Sequence, residues 1–185
     1  MYKKILVPLD GSRIAEKVLP FVCTIAGGIN AEIVLVRIIE YPSELFVGCG
    51  QYSFLDPEIV KKADDRKKAI RDDLTRYLER IASKLQQDGL RVTTEVCEGP
   101  VVEAILASID RLCIDMIAMS TLGDGGGNSW MIGSIANRVL REAKVQVFLV
   151  RPDQDNINSG FFQKHRNSFT RNSNDFSRYR FRRMN

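Results

Sequence analysis

Histidine is nearly absent: the 185 residues contain one, His165. The only tryptophan is Trp130. With no histidine in the first 164 positions, imidazole acid–base chemistry and histidine-based zinc binding have nothing to work with there. The four cysteines, Cys23, Cys49, Cys97 and Cys113, are widely spaced and form no C-x-x-C pair, so neither a zinc cluster nor a redox dithiol is expected. They read as reduced thiols. Cys23, Cys97 and Cys113 stand in apolar stretches and are expected to be buried; only Cys49, between Gly48 and Gly50, looks exposed enough to react, and a plain reduced thiol is the favoured reading for all four. No apolar run approaches the roughly 18 residues that span a bilayer, and Met1-Tyr2-Lys3-Lys4 leads into a strand pattern without a signal-type apolar core. A cytoplasmic protein is the expectation.

Charge of one sign is also missing from most of the chain. Residues 1–151 carry 20 Lys+Arg against 20 Asp+Glu, so the net charge of +4 lies wholly in residues 152–185, with seven bases against three acids. That tail is rich in Asn, Ser and Arg, with scattered Phe and no period, and it cannot bury enough apolar surface to offset its chain entropy. We expect a folded domain over 1–151 and a disordered extension over 152–185. Arg166, Arg171, Arg178, Arg180, Arg182 and Arg183 interleave with Phe161, Phe162, Phe169, Phe176, Tyr179 and Phe181. This is a composition that contacts nucleic acid or an anionic surface through charge and stacking. A plain soluble extension is the simpler reading of so modest a charge.

The first 151 residues alternate between two periodicities. Ile5-Leu6-Val7, Ile33 to Val36 with Ile38-Ile39, Val92 to Val96, Met116 to Met119 and Val145 to Val150 are short β-branched or apolar runs, as in strands covered on both faces. Between them lie helical stripes: Ile14 to Ala26, with Ser12 as N-cap and Gly27-Gly28 as stop; Ile59 to Leu85, ending at Asp88-Gly89; Val101 to Ile109, with Pro100 as first helical position; and Ile135 to Ala143. Residues 41–57 are aromatic, glycine-containing and aperiodic, and read as a long loop. The order βαβαβαβαβ predicts an α/β fold, a single open five-stranded parallel sheet with helices on both faces.

In such a sheet ligands bind beyond the carboxyl ends of the strands, where strand order reverses. Two segments fall there: Pro8-Leu9-Asp10-Gly11-Ser12 after the first strand, and the glycine-rich stretch from Ser120 to Ser134 after the fourth. Glycines let backbone amides approach an anion, and a helix starting near Gly133-Ser134 adds its dipole, so a polyphosphate is the natural guest. The stretch is neither a G-x-G-x-x-G turn after the first strand nor a lysine-bearing P-loop.

Lys3 to Ser12, Asp115 to Thr121 and Gly133-Ser134 through Arg151 together resemble the universal stress protein family over about residues 1–151. The ATP-binding pattern of that family, G-x-x-G, nine residues, then G-[S/T], is matched in spacing by Ser120 to Gly123, residues 124–132 and Gly133-Ser134, with Ser120 in the first glycine position. The resemblance implies a Rossmann-like fold of the adenine nucleotide alpha-hydrolase type. It also implies an ATP site with Pro8, Leu9 and Asp10 beside the adenosine and Ile38 offering backbone contacts to adenine. Ser120 and Gly123 would follow the ribose and phosphates, with Gly133, Ser134 and Ile135 holding the phosphate chain and Mg²⁺ carried by the phosphates. Asp124 stands where many relatives are basic, and Leu122 where many carry histidine; both point to a weaker, more Mg²⁺-dependent site. The resemblance further implies a homodimer through the strand at 145–150 and a stress-response protein whose nucleotide state modulates dimerisation or partner binding. Two alternatives stay open: an interaction protein of the same fold that binds no nucleotide, and a slow ATPase. No enzyme is expected, because the domain has neither histidine nor a glycine-loop lysine.

Overall fold

A computed structural model describes residues 2–40, 57–122 and 132–151. Of the loop expected at 41–57, residues 41–56, with Cys49, lie outside the described residues, as do Gly123, Asp124 and the tail, while Pro57 is the first residue of a helix. The strands are β1 (Lys4–Pro8), β2 (Glu32–Ile39), β3 (Arg91–Glu98), β4 (Met116–Ser120) and β5 (Gln146–Val150). They form one sheet, parallel throughout, in the order β3-β2-β1-β4-β5. The helices are α1 (Leu19–Ile29), α2 (Pro57–Gln87), α3 (Val101–Leu112) and α4 (Ser134–Glu142). None among the described residues is long and apolar enough to cross a membrane.

Successive strand residues point to opposite faces, which is why the central strands β1, β2 and β4 carry continuous apolar runs, whereas the edge strand β3 is largely polar and part-exposed. Ile5, Val7, Ile33, Leu35 and Ala118 enter a core with Val22 of α1 and Leu78 and Leu85 of α2. Their neighbours Leu6, Val34, Val36, Ile117 and Met119 enter a second core with Val102 and Ile105 of α3 and Val139 of α4. Each fully buried side chain of this kind contributes about 1.5–3 kcal/mol, so the two cores fix the sheet between the helix layers.

α1 departs from its expected bounds at both ends. Pro20 has no N–H to give the carbonyl of residue 16, so the α-helical ladder cannot extend upstream of it. Residues Ala15–Val18 take a tighter 3₁₀ turn instead, and Pro20 sits in the first turn of α1. At the other end Gly27-Gly28 does not stop the helix. It runs to Ile29, which packs on the core, and Asn30 takes the left-handed cap at φ 54° with its N–H donating to the Ala26 carbonyl. Pro100 is the N-cap of α3 and not its first residue. Cys23 is buried as expected, its thiol pushed up to about 12 by desolvation. Cys97 is only half-buried, and Cys113 is exposed, because the apolar run around it straddles the end of α3 and Cys113 occupies the left-handed cap.

α2 is long for its sheet. Its 31 residues span roughly 46 Å, whereas the eight residues of β2 span roughly 26 Å. Gln86 reaches the Val92 carbonyl at the start of β3, and Arg71 donates to the Val96 carbonyl at 3.1 Å and pairs with Glu98 at its end. The residues before Arg71 therefore rise past the carboxyl edge of the sheet and wall the space above it.

The amino edge is closed by Asp115, whose Oδ2 accepts from the Lys3 and Lys4 amides at 2.7 and 2.9 Å. These two bonds hold its carboxyl below the usual range. Asp115→Asn is expected to lower the unfolding free energy at pH 7 by about 1 kcal/mol. A depressed folded-state value means that the contribution is complete above the unfolded-state value near ~3.9 and is lost as pH falls through the folded one. Urea melts of wild type and variant should therefore converge only in strong acid.

Candidate functional site

Strand order reverses between β1 and β4, so the chain leaves their carboxyl ends in opposite directions and opens a crevice. On the β1 side the Leu9 amide donates to the Val36 carbonyl at 3.0 Å, extending the ladder by one residue. The chain then turns: Asp10 Oδ1 accepts from the Ser12 amide at 2.8 Å, Gly11 adopts φ +85°, and Ser12 Oγ accepts from the Ala15 amide at 3.0 Å. Ser12 thus closes the turn leading into the 3₁₀ segment, whose own N-cap is Ile14, and is not the N-cap of α1. Arg37 of β2 reaches under this loop, with Nη1 donating to the Leu9 carbonyl at 3.1 Å. Tyr77 of α2 donates to Glu16 Oε1 at 2.9 Å, and burial, reinforced by Glu16, raises its hydroxyl well above the ordinary range.

On the β4 side Ser120 is 6% exposed, and its Oγ accepts from the Leu122 amide at 3.3 Å, so the side chain in the first glycine position is spent on its own turn. The Thr121 amide bonds the Val150 carbonyl at 2.8 Å, and the Gly133 amide bonds the Thr121 carbonyl at 2.8 Å. A Cβ on Gly133 would stand 3.3 Å from that carbonyl, so glycine is what allows the close approach. Gly133 is the N-cap of α4 and supplies no side-chain cap. The first-turn amides of Ser134, Ile135 and Ala136 have no acceptor within the helix, and the dipole makes this end positive. The resemblance assigned Gly133, Ser134 and the Ile135 amide to the phosphate chain; the Gly133 amide itself donates to the Thr121 carbonyl.

These ends surround a cavity of about 630 Å³, within the range of small-molecule sites. Pro8, Leu9, Asp10, Ile38, Ser120, Gly133, Ser134 and Ile135 all line it; among the expected site residues only Gly123 cannot be placed. Sequence reasoning missed Ile70 and Leu74 of α2 and Val101 and Ile105 of α3, whose helical stripes read simply as core, and it missed Arg37. The signal for Arg37 was present: it is the one charged residue inside the apolar run from Ile33 to Ile39. The charged residues among the described lining are Asp10, Arg37 and Glu40, so side chains give the cavity no cationic excess, and the positive end of α4 is its main anion-attracting feature.

The model of the universal stress protein family matches residues 1–151. Universal stress protein MJ0531 of Methanocaldococcus jannaschii is 25% identical over 154 residues, covering 82% of this chain and 83% of its own. Among solved structures, MJ0577 of the same organism superposes with a TM-score of 0.68 at 23% identity, over 83% of this chain and 99% of the other. A universal stress protein family protein of Arabidopsis thaliana, solved with AMP bound, gives a TM-score of 0.57 at 14% identity, over 85% and 97%. At these identities the superpositions speak for the fold.

Gly11→Ala forces an L residue into the left-handed region and is expected to lower the unfolding free energy by about 1 kcal/mol in urea denaturation. Gly28→Ala, inside α1 with nothing within 4 Å of the added carbon, should raise it by up to about 1 kcal/mol.

Proposed function

The chain belongs to the universal stress protein family, and from that premise we propose that it is an adenine-nucleotide-binding regulatory protein, a 1–151 domain with a 152–185 extension. The observation that carries this reading is the convergence of the β1 loop, the end of β2 and the uncapped start of α4 on one cavity. An adenine nucleotide needs three things there: apolar walls for the base, main-chain polar groups at its edge, and donors for its phosphates. Leu9, Ile38, Ile70 and Leu74 supply apolar walls, the chain at Ile38 lies where the base edge would sit, and the amides of Ser134 and Ile135 supply the donors. In this reading Pro8 and Asp10 border the adenosine, Ser120 lies beside the ribose and phosphates, and Gly133 starts the helix that holds the phosphate chain; Gly123, assigned to the ribose and phosphates by the resemblance, lies outside the described residues.

ATP with Mg²⁺ is the ligand we assign. The ion is carried by the phosphates, where it offsets the carboxylates of Asp10 and Glu40. The Arabidopsis protein solved with AMP supports an adenine nucleotide in this fold. The role is regulatory: β5 is an edge strand with half-buried Val147, Phe148 and Leu149, and pairing with a second copy would cover that edge. The cavity is lined by Ser120 and Thr121 at the end of β4, the neighbour of β5, so a bound nucleotide would act on such pairing through β4.

Isothermal titration checks the ligand. ATP is expected to bind in Mg²⁺ and at least tenfold more weakly with the ion chelated, and Gly133→Val should weaken binding by at least tenfold while the protein stays folded. Absence of heat with ATP, ADP and AMP alike would remove the nucleotide reading in favour of a partner-binding protein.

A further inference from the structure

We infer that Arg37 is a positioning residue for the cavity: its guanidinium holds the β1–α1 loop in the shape that receives the ligand. The inference rests on the nucleotide reading for its consequence, but on geometry alone for its mechanism. Arg37 follows Ile33 and Leu35 on the face of β2 that packs against α1 and α2. In register, Val36 lies opposite Pro8, the last residue of β1, and Arg37 is one step further, beside the chain as it turns out of the sheet. At this level Leu9 still bonds to β2, and the arginine side chain reaches its carbonyl.

Both main-chain polar groups of Leu9 are consequently held by β2. The amide is held by the Val36 carbonyl at 3.0 Å, and the carbonyl by Arg37 Nη1 at 3.1 Å. Two residues on, the guanidinium atoms lie 3.5 to 3.8 Å from the point a Gly11 Cβ would occupy, so the group forms the floor on which the left-handed turn rests. Asp10 is fixed between these two supports. The far side of the loop is held independently, by Tyr77 of α2 gripping Glu16 in the 3₁₀ turn.

Stability by itself does not account for an arginine here. Among the described residues, Arg37 Nε is the one buried side-chain nitrogen or oxygen with no hydrogen-bond partner. A methionine of similar length would bury no such donor, at the expense of freeing the Leu9 carbonyl, so the exchange leaves global stability nearly unchanged. What methionine cannot supply is the donor that orients Leu9 and the planar group beneath Gly11. A local rule broken in the wall of a cavity is where a functional constraint is expected to show.

Hydrogen exchange on the full chain without ligand, in wild type, Arg37→Met and Arg37→Lys, tests the mechanism. Exchange across residues 9–14 should rise at least tenfold in Arg37→Met and less in Arg37→Lys, whose ammonium still reaches a carbonyl but cannot underlie the turn; exchange in α3 and β5 should not move. Unchanged exchange at 9–14, or a rise throughout the domain, overturns the inference, the latter by making Arg37 a general stability residue. AMP titration reads the consequence, with affinity expected to fall at least tenfold in Arg37→Met. An unchanged affinity alongside a loosened loop overturns the link to the ligand. If wild type binds none of AMP, ADP and ATP, the nucleotide reading fails, while the exchange data still decide whether Arg37 holds the loop.

Discussion

The reversal of strand order between β1 and β4 is the constraint on which the rest of the molecule depends. A parallel sheet must return each strand through a crossover, and here α1 and α2 cross on one face while α3 and α4 cross on the other. Where the winding changes face, the outgoing loops of two adjacent strands diverge and nothing in the sheet fills the gap between them. The cavity is a topological consequence of the order β3-β2-β1-β4-β5, and the overhang of α2 beyond the carboxyl edge gives it a further wall.

Its chemistry follows from how that gap is lined. The helix that begins there, α4, starts on a glycine that supplies no side-chain cap, so its unpaired amides and the positive end of its dipole face the space that the topology opened. Side chains add little positive charge, since Arg37 is accompanied by Asp10 and Glu40. Anion recognition of this kind depends on backbone geometry more than on charge, which fits a domain whose residues 1–151 are electrically balanced. It also explains why small features matter: Gly133 is required by a 3.3 Å approach to Thr121, and the loop opposite is held by single hydrogen bonds from Arg37 and Tyr77.

The fold was legible because the central strands are buried on two faces and each helix on one, so the two periodicities alternate from Ile5 to Val150. The strand ends that line the cavity were legible because such a sheet opens where its strand order reverses. The misses have local causes. Pro20 sets a hydrogen-bonding limit that the apolar stripe of α1 does not show, and the helix continues through two exposed glycines, despite their cost in a helix interior, to the left-handed cap at Asn30. Cys113 was misjudged because hydrophobic neighbours on either side of a helix end do not share a face. Arg37 was passed over because a charge inside a strand reads as noise until the neighbouring strand is seen to stop one residue short of it. Ile70 and Leu74 look like core in one dimension and become cavity wall only because α2 outruns the sheet.

Amide chemical-shift mapping of the isotope-labelled full chain, titrated with ATP in Mg²⁺, tests the central claim most directly, because it reports ligand and location together. An adenine nucleotide held at the strand reversal predicts saturable shifts concentrated at Leu9, Asp10, Ile38, Ser134, Ile135 and Ala136, with the amino edge around Asp115 unmoved. Shifts that are absent at saturating ATP, or that cluster away from the ends of β1, β2 and β4, would contradict it.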